Sequence, residues 1–157
     1  MLMTALMRPR SRSGTIRLDR DRAAPPVVDF ALLEHPDDVA ELIVGVRSAL
    51  DLLRTPAFAE IVETTYIDEF GTTAAELRDT DVSERWVRDA VGDYVHAASS
   101  CAMGRVVDDD GALFGYDGVY VCDASVFPSI PDVNTHRPTT MLAERLVARW
   151  RRADPGP

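Results

Sequence analysis

The apolar residues Val39, Leu42, Ile43, Val46, Leu50 and Leu53 fall at i, i+3, i+4, i+7, i+11 and i+14. A period near 3.6 over four turns puts all six on one stripe of a helix, and the stripe must be buried against something. The preceding His35-Pro36-Asp37-Asp38 reads as the helix entry, with proline and acids in the first turn. His35 itself reads as a surface-turn residue. Upstream, GTIRL (14–18) and PVVDF (26–30) are short β-prone runs separated by a Pro/Asp-rich turn. They predict an antiparallel pair, so the expectation here is a helix packed on a sheet.

Further along, PAFAEIVE (56–63) predicts a second, short helix, and residues 64–80 lack a period and read mostly as loop. Asp81-Val82-Ser83-Glu84 resembles a capping box, with Val82, Trp86 and Ala90 following at helical spacing up to Gly92. Residues 104–123 predict a turn between short strands and then an apolar strand, GVYVCD. The clearest helix is the last. In PTTMLAERLVARWRR, Pro138 opens the first turn, Leu142, Leu146 and Trp150 share a face, and Arg149, Arg151 and Arg152 fill the last turn.

Composition narrows the function classes. At 157 residues the chain suits one core-bearing domain, and 46% hydrophobic with 27% charged residues is a globular balance. All 17 basic residues are arginines, scattered among acids, and the net charge is −9. That argues against nucleic acid or an anionic membrane as partner. No apolar run approaches the roughly 18 residues of a membrane span, and the seven-residue MLMTALM precedes its arginines instead of following them, unlike a secretory signal. Cys101 and Cys122 have no CxxC spacing and read as small hydrophobes in a reducing compartment. Cytoplasm is the default location. DDDG (108–111) lacks the spaced ligands of a calcium loop and reads as a solvated turn, so no metal site is expected.

Two stretches carry candidate chemistry. In YVHAASSCAMG, His96 precedes a run of small residues that leaves room for a ligand, and histidine is the side chain that exchanges its proton near neutral pH. A lone histidine is more often structural. In DASVFPSIPDVNTHRPTTM (123–141), Asn134, Thr135 and His136 lie just ahead of a helix N-terminus, whose amides and dipole favour an anion. Binding residues and ordinary caps both fit that order.

HAASSCAMG (96–104), VVD (106–108), GVYVCDASVFPSIP (118–131) and NTHRPTTMLAE (134–144), in this order and spacing, resemble the C-terminal domain of the glucose–methanol–choline (GMC) family of flavin-dependent oxidoreductases. RPRSRSGTIRL (8–18) is similar to the family's entry into its substrate-binding sheet. The resemblance covers nearly the whole chain and is least distinctive over 64–90. It implies an α+β fold: an antiparallel sheet packed by helices, with a C-terminal strand–loop–helix segment that docks on a Rossmann-like FAD domain. It also implies a division into a substrate-binding part (1–95), an active-site and flavin-contacting segment (96–152) and a tail (153–157).

By resemblance, His96 is the base that takes the hydroxyl proton of an alcohol while a hydride passes to FAD, and Asn134 hydrogen-bonds the substrate oxygen. Asp123, Ala124, Thr135, Pro138, Thr139, Thr140 and Met141 fall where the family's chain meets the flavin. Two features depart from the pattern. Where relatives commonly have Pro-Val-Gly-Thr after the histidine, this chain has Ala97-Ala98-Ser99-Ser100, and the glycine is lost. His136 stands where the resemblance demands no histidine, and reads as a supporting or surface residue.

No two of the nine glycines are spaced two apart, so the GxGxxG unit that holds FAD is not in this sequence. The chain therefore looks like the C-terminal part of a longer enzyme, the partner of a separate FAD-binding chain, or a remnant, and is expected to be inactive alone. A non-catalytic interaction module and a flavin-containing cyanohydrin lyase are the alternative readings.

Overall fold

Pro36 and Asp37 open helix α1 (Pro36–Leu53) as the sequence predicts, but the cap is the residue before them. The backbone of His35 is extended, and its Nδ1 accepts a hydrogen bond from the Asp37 amide at 3.2 Å. The computed structural model describes residues 2–21, 23–78 and 80–153, and all that follows concerns these. They fall into two units, divided between Gly92 and Asp93.

In the first unit, strands β1 (Thr15–Arg17) and β2 (Val27–Asp29) pair antiparallel, with Ile16 opposite Val28. The α+β class is thus realised, with a two-stranded antiparallel sheet and four α-helices among the described residues. The stripe on α1 closes on a helix: Val39 and Ile43 pack with Leu33 and with Val87 of α3 (Thr80–Ala90), and Leu42, Val46, Trp86 and Val91 border them. The strand residues themselves are exposed.

Helix α2 is a single turn, Pro56–Ala59, shorter than expected. Residues 64–78, the described part of the expected loop before Thr80, are more ordered than their lack of period suggested. Tyr66 bridges Thr73, and Ala74–Arg78 form a 3-10 turn that buries Ala74 and Leu77. The Leu77 carbonyl accepts the buried Ser83 hydroxyl at 2.7 Å, so Ser83 ties α3 back to this turn.

A buried carboxylate organises the start of the chain. Asp38, 1% exposed, accepts hydrogen bonds from the amides of Arg10 (2.8 Å) and Ser11 (2.9 Å) and from the Ser11 hydroxyl (2.6 Å). Ser11 Oγ also accepts the His35 amide at 3.0 Å. Burial pushes the Asp38 carboxyl upward, but the Ser11 hydroxyl, the two amides and the neighbouring His35 outweigh it, and the carboxyl lies below its ordinary value. An acid that reads as a dipole partner in the sequence is in fact a clamp on residues 10 and 11.

In the second unit, Val107, Val126 and Leu146 are fully buried, ringed by Cys101, Met103, Leu113, Val121, Leu142 and Trp150. Leu146, Leu142 and Trp150 share the inner face of helix α4 (His136–Ala153), which starts two residues before the expected Pro138. The expected strand over 118–123 is absent. Its place is taken by single bridges and paired backbone bonds, Leu113 N to Val119 O (2.9 Å) and Val121 N to Gly111 O (2.8 Å). Gly111 shows why no regular ladder forms. Its φ is +76°, and a Cβ there would meet the Val121 carbonyl at 2.6 Å, so the backbones approach more closely than a strand with side chains allows. In DDDG, Asp108 Oδ1 accepts from the Asp110 and Ala112 amides, both at 2.8 Å, which closes the turn on itself. Asp110 pairs with Arg149 of α4, and its carbonyl accepts the Trp150 indole N–H at 2.7 Å.

Candidate active site

His96 and Asn134, 38 residues apart in sequence, meet in the second unit: Asn134 Nδ2 lies 3.2 Å from His96 Nε2. Each is placed by the backbone beside it. The amide of His136, first residue of α4, donates to Asn134 Oδ1 at 3.0 Å. A backbone N–H can only donate, so the oxygen of Asn134 must face it, and its NH2 group must face His96. The His96 ring meets Tyr94 edge-on, with centroids 5.5 Å apart at 89°, and its Nδ1 lies 3.2 Å from the Val95 carbonyl.

The segment after His96 is threaded onto the loop before α4. The amides of Ser99, Cys101 and Met103 donate to the carbonyls of Ala124 (3.2 Å), Ser125 (2.9 Å) and Val126 (3.0 Å) in succession. Asp123 caps the short 3-10 turn Ala124–Val126 by accepting the Ser125 amide at 2.8 Å. Burial, and then the negative charge of Asp123, push the Cys122 thiol upward, which keeps it protonated and inert beside the apolar cluster. Ser99 occupies the position of the lost glycine. It sits at φ +66°, and its hydroxyl is buried without a partner.

At the start of α4, Thr135 is buried and its carbonyl accepts both the amide (2.9 Å) and the hydroxyl (2.7 Å) of Thr139. The Thr140 hydroxyl donates to the His136 carbonyl at 3.1 Å. Pro138 has no N–H, and the His136 amide is spent on Asn134. The Arg137 amide is therefore the first-turn donor without a protein acceptor among the described residues. Met141 is 69% exposed one turn in. His136 thus serves through its backbone, while its side chain is exposed.

Sequence reading named His96 and Asn134 but missed what aims them: the Val95 carbonyl, the Tyr94 ring and the His136 amide. Only an unusual backbone at Val95 brings its carbonyl to the ring, and no local pattern announces that.

A family model described as GMC oxidoreductase matches residues 9–143. The chain is 33% identical over 151 residues to 5-(hydroxymethyl)furfural oxidase of Methylovorus sp. (strain MP688), covering 87% of this chain and 28% of that protein. It is 33% identical over 149 residues to an oxygen-dependent choline dehydrogenase of Paraburkholderia xenovorans (strain LB400), covering 92% and 26%. Among solved structures, a fungal aryl-alcohol oxidase superposes with a TM-score of 0.76 at 26% identity, over 92% of this chain and 25% of that one. Formate oxidase of Aspergillus oryzae RIB40 superposes with a TM-score of 0.86 at 23% identity, over 96% and 26%, and shows the same fold. The chain belongs to the GMC oxidoreductase family and has the fold of its C-terminal domain. It spans about a quarter of the length of these relatives. Among the described residues, no helix is long and apolar enough to cross a membrane.

Proposed function

We propose that this domain is the base-bearing, substrate-facing part of an FAD-dependent oxidoreductase acting on the CH–OH group of a small alcohol, working with an FAD-binding domain in the same polypeptide or in a separate chain. The observation that carries this reading is the His96–Asn134 pair, 3.2 Å apart. Family membership supports it, since GMC oxidoreductases act on alcohols or related substrates with FAD. In this reading residues 1–95 bear the substrate-binding surface and 96–152 the active-site segment. Of the proposed tail, 154–157 lie outside the described residues.

The start of α4 fits the edge of a flavin. Its uncommitted Arg137 amide and helix dipole favour the negative charge that a reduced ring carries, and exposed Met141 offers apolar contact beside it. The Thr139 and Thr140 hydroxyls already donate to the helix, which leaves their lone pairs as what they can offer a ligand. Asp123, Ala124, Thr135 and Pro138 shape the backbone around it.

FAD, when bound, supplies the acceptor for the hydride. The chain's own groups handle the proton. An alcohol hydroxyl within reach of the nitrogen that faces Asn134 gives its proton to the imidazole as the carbonyl forms. The Asn134 NH2 donates to the oxygen as charge builds on it. Choline, 5-(hydroxymethyl)furfural and aryl alcohols, named for the relatives, are the first substrates to try.

The test is flavin reduction by an alcohol in the assembled, FAD-containing enzyme, followed by stopped-flow absorbance. His96→Ala should slow it by roughly 10²–10⁴-fold, the usual worth of a positioned base. An unchanged rate removes the base assignment. Products of carbon–carbon cleavage without flavin reduction would instead make the protein a cyanohydrin lyase. Failure to assemble with any FAD-binding domain would make it a non-catalytic module.

A further inference from the structure

Val95 stands at φ +52° with a β-branched side chain, and is 83% exposed. Left-handed backbone drives the Cβ of an L-residue against a carbonyl, and a β-branched residue there is an outlier. Packing of the exposed side chain does not require it. What the conformation does produce is a direction for the carbonyl, which lies 3.2 Å from His96 Nδ1.

The neighbouring bonds decide what that contact is. Asn134 presents its NH2 to His96 Nε2, because its oxygen is held by the His136 amide. An amide NH2 only donates, so Nε2 must accept through its lone pair. A neutral imidazole with a bare Nε2 carries its proton on Nδ1, and a carbonyl can only accept. The three bonds agree on one tautomer: His136 N–H to Asn134 Oδ1, Asn134 Nδ2–H to His96 Nε2, and His96 Nδ1–H to Val95 O.

We propose that Val95 is a positioning residue, whose left-handed backbone turns its carbonyl onto His96 Nδ1–H and so keeps Nε2 the accepting nitrogen, whose lone pair takes the Asn134 N–H here and the substrate hydroxyl once that displaces it. This deepens the reading of His96 as the base, and rests on it for its functional meaning. In water an imidazole side chain favours the opposite, Nε2–H form, which cannot accept the hydroxyl proton at Nε2. The strain at Val95 thus has an identifiable product.

The test is nitrogen NMR of the full chain labelled with ¹⁵N-histidine, under conditions where the imidazole is neutral, with the His96 signals assigned by their loss in His96→Gln. Nδ1 should resonate as a protonated nitrogen and Nε2 as a bare one. A spectrum dominated by Nε2–H overturns the proposal. Val95→Asn, which tolerates left-handed backbone, should retain the pattern. Val95→Pro, whose ring fixes φ near about −65°, should swing the ratio severalfold toward Nε2–H, and an unchanged ratio in that folded variant also overturns the role of Val95. If Val95→Pro does not fold, the wild-type chain labelled with ¹³C-carbonyl valine and ¹⁵N-histidine replaces it: an NMR coupling across the hydrogen bond should link His96 Nδ1 to the Val95 carbonyl carbon, and its absence counts against Val95. Flavin reduction separates the two readings. A fixed Nδ1–H tautomer alongside an undiminished rate in His96→Ala keeps the positioning and removes the base.

Discussion

Among the described residues, each unit has two non-glycine residues at positive φ, and the two pairs are supported differently. In the first unit Ala31 (φ +48°) and Leu33 (φ +60°) lie between β2 and α1. The Ala31 amide is held by Asp29 Oδ1 at 2.9 Å, Leu33 is buried in the core, and the Leu33 carbonyl accepts Arg88 Nη1 at 3.3 Å. Packing and hydrogen bonds there offset the backbone strain. In the second unit Val95 is exposed, and Ser99, whose amide donates to the Ala124 carbonyl at 3.2 Å, buries a hydroxyl with no partner. The strain around His96 is not offset by packing. Strain that packing supports belongs to the fold. Strain on both sides of a candidate base, held by backbone contacts with little side-chain packing, is the kind found where a site is being aimed.

The comparison can be broken by making the same substitution in both places. Leu33→Gly relieves the backbone but empties a core position, and should destabilise by about 2–4 kcal/mol in chemical unfolding. Asp38→Ala comes next. Three donors would lose a charged acceptor, for a loss of about 2–3 kcal/mol. Trp86 lies beside the core of the first unit and Trp150 beside that of the second. Single-tryptophan variants therefore report which unit responds, and both losses should register at Trp86.

Acid titration probes the same clamp without mutation. The Asp38 carboxyl is depressed below its ordinary 3.8 in the folded state. Its contribution is thus fully present above that pH and fades as the pH falls through the lower, folded value. Asp38→Ala should flatten the acid limb of the stability curve, and an unchanged limb would show that the clamp contributes nothing. The smallest effect has the opposite sign. Ser99→Gly suits φ +66° and removes the orphaned hydroxyl, so it should stabilise by about 1 kcal/mol. Destabilisation there would mean that the serine is supported after all, and the contrast with Leu33 would collapse.

What the sequence makes legible follows from how local each cause is. The stripe on α1, the inner face of α4 and the two strands come from period and propensity, and they appear where expected. The 3-10 turn Ala74–Arg78 and the irregular backbone over 111–121 depend on partners far along the chain. The close approach of Gly111 to Val121 cannot be read from a run of apolar residues that looks like a strand. Asp38 shows the same limit: its identity as an acid in a first turn is local, but its burial depends on Ser11, 27 residues away. For the candidate site, His96 and Asn134 were legible through ordered motifs. Val95 was not, because a valine in left-handed backbone contradicts its own preference.

The two-stranded sheet has a practical consequence. A ribbon of two strands has an open edge on each side, and this one presents Ile16, Val27, Val28 and Phe30 to solvent. Unpaired N–H and C=O groups beside apolar side chains are a template for another chain to add to. Self-association should therefore rise with protein concentration, and slow tumbling would broaden the His96 resonances. Labelled samples of this chain are best studied dilute, with light scattering run alongside the spectra.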